Sequence, residues 1–139
     1  MAPTWSRRRI VVLVGLAVGV ALVAAFLMRP GPKGWEDLDP LAFQELSLQP
    51  ETFTVNVHTP YEGEIAQTDA QIAFDEITVR MGELPQDRST PIAVYCRSGR
   101  MSGEVMPLLV EAGYTELFQL EGGMTAWDEA GLTIEQRPS

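Results

Sequence analysis

A chain of 139 residues with one cysteine and a net charge of −9 has the size for one compact domain, and no intramolecular disulfide can hold it together. All 19 acidic residues but only seven of the 10 basic ones lie beyond Met28, so that part carries a net charge of −12. This balance argues against nucleic acid as a partner and makes anionic lipid a poor one.

Residues 1–9 form a basic N-terminus that ends in Arg7-Arg8-Arg9. The run 10–28 that follows is uncharged and has no polar face; as a helix it spans about 28 Å, roughly the hydrocarbon thickness of a bilayer. The arginines before it place the N-terminus in the cytoplasm and export the rest. The sequence therefore predicts a single-pass transmembrane helix with its domain on the periplasmic or extracellular side. The alternative is a signal peptide cleaved near Val23-Ala24-Ala25, which leaves a secreted domain. No cysteine closes the apolar run, so a lipoprotein anchor is excluded. Residues 29–37 read as a linker, from the Pro/Gly-rich stretch RPGPKG, and residues 38–139 as the folded domain.

Within that domain, Asp39-Pro40 reads as an N-cap followed by Pro at the first helical position, opening a helix through about Leu46. Thr52–Val57 is rich in branched and aromatic residues and reads as a strand. The polar stretch from Thr59 to Gln71 reads as loop, with Glu62 and Glu64 solvated, and Asp75 to about Leu84 as a helix ended by Pro85. Pro91–Tyr95 is a second strand, and a helix after it closes at Gly113 with Pro107 inside it. Leu117–Leu120 is a third strand. Gly122-Gly123 turns it into a last helix, from about Met124 to Ala130, stopped at Gly131. Trp35 and Trp127 read as packing residues. Strands alternating with helices predict an α/β domain with a mostly parallel sheet.

The only cysteine, Cys96, stands in the stretch YCRSGRMSGE between the second strand and its helix. A thiol at such a turn meets unpaired backbone N–H groups and the positive end of the helix dipole. Both stabilise a thiolate or a bound anion, and Arg97 and Arg100 add to the effect. In parallel sheets reactive groups sit beyond the carboxyl ends of the strands, where Cys96 falls. The alternative is an inert cysteine serving as a small buried hydrophobe. One histidine and one cysteine give no metal-ligand spacing, and no cofactor is indicated.

Val94-Tyr95-Cys96-Arg97-Ser98-Gly99, the later Ala112-Gly113-Tyr114, and Leu120-Glu121-Gly122-Gly123-Met124 with Ala126-Trp127 resemble the rhodanese homology domain in residue type, order and spacing. The similarity covers about residues 38–135. It implies a three-layer fold with a mostly parallel central sheet flanked by helices, here preceded by the transmembrane helix. It also implies Cys96 as the nucleophile that takes a sulfane sulfur from a small anionic donor, becomes a persulfide and passes the sulfur to a thiol acceptor. Arg97, Ser98, Gly99, Arg100 and Met101 become the anion-binding loop.

The pattern departs from the family at three places. Met101 stands where the loop often ends in Arg. Asn56-Val57-His58 replaces the usual Asp-Val-Arg, which makes Asn56 and His58 possible supporting residues; His58 suits proton transfer or a structural role. Glu64 stands where the family often has His. Phosphatases of the same fold need Cys-x5-Arg, and the sixth residue after Cys96 is Ser102, which argues against phosphoester hydrolysis. Two readings of another kind stay open: a non-catalytic module that docks an envelope partner, and a redox-sensing thiol.

Overall fold

The computed structural model describes residues 33–137. The predicted transmembrane helix over 10–28 lies outside the described residues; within them, no helix is long and apolar enough to cross a membrane. In chain order the elements are β1 (Glu36–Leu38), α1 (Pro40–Ser47), β2 (Phe53–Asn56), β3 (Ala70–Gln71), a 3-10 turn (Met81–Glu83), β4 (Ile92–Tyr95), α2 (Arg100–Glu111), β5 (Leu117–Leu120) and α3 (Gly123–Glu129). The strands form one parallel sheet in the order β1-β5-β4-β2-β3, as the α/β reading expects.

Strand alternation divides the core between the two sheet faces. Ile92 and Val94 of β4 pack with Val55, Val105, Met106 and Leu109 under α2. Ala93 and Tyr95 pack with Phe43, Leu120, Met124 and Trp127 under α1 and α3. Phe43 meets the Tyr95 and Trp127 rings edge-on at 6.2 and 6.4 Å, a favourable aromatic geometry. The predicted caps hold as well. Asp39 accepts from the Leu41 and Ala42 amides at 3.0 Å to start α1, and Gly113, at φ +94, follows the end of α2. Pro107 does not stop α2, which runs through to Glu111 with the proline on its exposed side.

Three segments differ from the sequence reading. The helix expected from Asp75 to Leu84 is a series of turns ending in the three-residue 3-10 turn. Ile77-Thr78-Val79 is β-branched and Gly82 is flexible, so intrinsic helix propensity is low. Ile77 and Leu84, with the partly buried Met81, anchor the segment to the core. β1 begins within the stretch read as linker and pairs with β5. β3 lies within the stretch read as loop, where Ala70 and Gln71 pair with Val55 and Asn56.

Tyr95 ties the carboxyl end of β4 to the loop beyond β2. Its hydroxyl accepts from the Ile65 amide at 3.0 Å and lies 2.6 Å from Thr68 Oγ1. Burial pushes the phenol up to about 12. The neutral form is thus favoured in the fold; that stability is intact below pH 10 and is lost between about pH 10 and 12. Tyr95→Phe is expected to cost about 1–2 kcal/mol at neutral pH by leaving the Ile65 amide unpaired. It should also remove this part of the alkaline destabilisation; urea melts at pH 7 and pH 11 check both.

Candidate active site

The chain leaves β4 for β5 and leaves β2 for β3, in opposite directions across the sheet. The crevice between β4 and β2 at their carboxyl ends is therefore the switch point where ligands bind in such sheets. Cys96 is the first residue beyond β4 and continues its alternation, so its side chain falls on the α2 side. It is 1% exposed, yet aliphatic groups are not its only neighbours. The Gly99 amide donates to Sγ at 3.1 Å, and Ser102 Oγ lies 3.5 Å from Sγ.

Gly99 makes this turn at φ +91, a left-handed conformation that side chains disfavour. Its carbonyl accepts from Ser102 Oγ at 3.2 Å, Gln119 Nε2 at 2.9 Å and the Gly103 amide at 3.0 Å. Those three bonds pin the entry of α2. The loop is held from its other side by α3: the Met124 amide donates to the Cys96 carbonyl at 2.9 Å, and Thr125 donates to the Arg97 carbonyl through its amide at 2.9 Å and its hydroxyl at 3.1 Å. Gly123 lies so close that a Cβ would stand 2.4 Å from the Cys96 carbonyl oxygen. The Gly-Gly helix entry noted in the sequence is thus the seat of the cysteine loop.

The other predicted loop residues are distributed unevenly. Arg97 and Ser98 are exposed, and Met101 is half-buried against the α2-side core. Arg97 Nη1 donates to Glu62 Oε1 at 2.5 Å. Arg100 opens α2 and pairs with Glu104 at 2.6 Å, its guanidinium 5.8 Å from the Phe74 ring centre. Both arginines thus have carboxylate partners.

Asn56 is buried; it donates to the Gly63 carbonyl at 3.0 Å and accepts from the His58 amide at 2.9 Å. These bonds shape the loop after β2. His58 is also buried, with Nε2 2.5 Å from Glu62 Oε2.

Glu62 is exposed, as the solvated reading expects, yet both of its carboxylate oxygens have partners, and Glu64 is half-buried. Glu62 bridges Arg97 and His58, and Arg97 first, then His58, holds its carboxyl below the usual carboxylate range. Glu64 accepts from Arg137 at 2.6 Å. Sequence reasoning also passed over Ser102, Gln119 and Thr125. Only Gln119 left a signal, as a polar residue in a strand otherwise apolar.

A family model described as "Rhodanese-like domain" matches residues 55–130. A sulfurtransferase of Allochromatium vinosum is 38% identical over 95 residues, covering 66% of this chain and 85% of that one. A thiosulfate sulfurtransferase of Escherichia coli is 33% identical over 63 residues, covering 45% of this chain and 61% of that one. Among solved structures, a rhodanese-related protein from Thermoplasma volcanium superposes with a TM-score of 0.62 at 24% identity, over 71% of this chain and 96% of that one. The cysteine loop, the parallel sheet that carries it and these matches have one reading: the chain belongs to the rhodanese-like domain family.

Proposed function

We infer that this protein is a sulfurtransferase that carries sulfane sulfur as a persulfide on Cys96. The observation that carries the reading is the Gly99 amide aimed at Sγ from 3.1 Å, at the start of a 12-residue helix. The amides of Arg100, Met101 and Ser102 belong to the first turn of α2, where no intrahelical acceptor exists. The first amide to bond back is that of Gly103, to the Gly99 carbonyl. Such a group of donors suits a thiolate, a persulfide anion and an anionic donor in turn.

In the first step the Cys96 thiolate attacks the outer sulfur of the donor. A sulfur–sulfur bond forms on Cys96, and the donor's own bond breaks with its electron pair going to the leaving group. With thiosulfate that group is sulfite. In the second step an acceptor thiolate attacks the outer sulfur and Cys96 leaves as thiolate, so no external oxidant or reductant is consumed. Residues 10–28 hold the domain to a membrane on its periplasmic or extracellular side in this reading, or are removed as a signal peptide.

A second reading, a rhodanese-fold module that docks an envelope partner without turnover, draws on two observations. Cys96 is 1% exposed, and both loop arginines are already paired. The two part in one experiment: the full chain is incubated with thiosulfate or with a small organic persulfide and weighed intact. Gain of one sulfur atom supports the enzyme. No gain from either donor, with Cys96 inert to an alkylating reagent, overturns it in favour of the module.

A further inference from the structure

Among the described residues, Glu62 is the one that joins the loop after β2 to the cysteine loop by side-chain bonds at both ends. Its Oε1 accepts from Arg97 at 2.5 Å, and its Oε2 lies 2.5 Å from His58 Nε2. Arg97 directly follows Cys96 in the chain, so its guanidinium is one of the two nearest in sequence to the sulfur. The other, Arg100, is held by Glu104.

Beside Arg97 opens a cavity of about 500 Å3 whose lining includes Glu62, Asp128, Glu129 and Met124. Three carboxylates and one guanidinium thus line it, and that guanidinium is already paired with Glu62. The cavity adjoins the cysteine loop through the loop's backbone and Arg97: the Met124 amide binds the Cys96 carbonyl, whereas Sγ itself lies on the α2 side.

We propose that Glu62 is a specificity determinant of sulfur transfer: by holding Arg97 it leaves the rim of the cysteine loop negative and selects sulfur carriers bearing positive charge over dianionic ones. The proposal rests on the sulfurtransferase reading. The α2 amides hold the transferred sulfur, whereas the remainder of the carrier meets the carboxylates. An aminothiol persulfide presents an ammonium to them; thiosulfate presents a sulfonate. With the first, the Cys96 thiolate takes the outer sulfur and the aminothiol leaves as thiolate. With the second, sulfite leaves.

The test compares single-turnover loading of Cys96, read by intact mass, from thiosulfate and from cysteamine persulfide. For Glu62→Gln the half-saturating thiosulfate concentration is expected to fall roughly fivefold, as for loss of one partly solvated charge. The cysteamine persulfide value should rise by a similar factor, with both limiting rates within about twofold of the parent. Glu62→Asp should restore the parent order of preference. Arg97→Gln, which leaves the Glu62 carboxylate with His58 as its remaining partner, should raise the thiosulfate value; this variant decides the matter should Glu62→Gln fold poorly. Loading from both donors with their ratio unmoved by any of these changes overturns the proposal alone. Loading from neither donor, in parent and variants alike, overturns the sulfurtransferase reading beneath it.

Discussion

Cys96→Ser is expected to abolish sulfur loading while leaving the fold intact. The serine hydroxyl can accept the Gly99 amide and face Ser102 Oγ, as Sγ does at 3.1 and 3.5 Å. A hydroxyl, however, forms no persulfide. The substitution places a slightly smaller polar group in a site 1% exposed, a change worth on the order of 1 kcal/mol when the group finds partners. Intact mass after incubation with donor should show the added sulfur on the parent and none on the variant, with thermal melting as the check on folding. Since the chain has one cysteine, covalent sulfur persisting on the variant would sink Cys96 as the carrier.

Gly123→Ala should be the most damaging small substitution in the domain. The residue opens α3 at φ +59, where a side chain is strained by roughly 1–2 kcal/mol. The added Cβ would also meet the Cys96 carbonyl oxygen at 2.4 Å and the Arg97 carbonyl carbon and oxygen at 2.6 Å. These are backbone atoms fixed by the Met124 and Thr125 amides, so no flexible side chain can swing aside. Overpacking of this kind adds about 1–3 kcal/mol. A total of about 3 kcal/mol corresponds to a fall in Tm on the order of 15 °C for a domain of this size, measurable by calorimetry. Sulfur loading should fall with it, because relief of the clash displaces the loop that carries the thiol. A Tm within about 3 °C of the parent would mean that α3 does not seat the loop.

The elements legible in the sequence are those whose residues obey a local rule. Ile92–Tyr95 and Leu117–Leu120 lie in the centre of the sheet and are largely buried, so their apolar content declares them. Asp39-Pro40 and Gly113 mark helix ends through their own backbone chemistry. β1 and β3 are edge strands of three and two residues, half-buried or exposed. Nothing in the composition of Glu36-Asp37-Leu38 or Ala70-Gln71 distinguishes them from loop. Ile77 and Leu84, seven residues apart, imitate one face of a helix; the core in fact takes each of them from a separate turn.

The site divides in the same way. Cys96, the left-handed Gly99 and the entry of α2 are one contiguous stretch and could be read together. Glu62 meets Arg97 across 35 residues, and Gln119 meets Gly99 across 20. Such pairings exist only once the sheet has brought the strand ends together, so Glu62 looked like any solvated carboxylate. The expected arginine-lined loop is in fact a loop whose arginines are already engaged.

Among the described residues, β1 has β5 as its one neighbour in the sheet, and β5 separates it from β4. The first described strand therefore has no sheet partner until the last described one is in place. A nascent chain or a fragment that stops short of Leu117 leaves the backbone of Glu36–Leu38 without a sheet partner, whatever else has formed. Contacts this distant in sequence are reached late and slowly. The β1 segment thus settles in the sheet only after β5, about 80 residues later in the chain, has arrived.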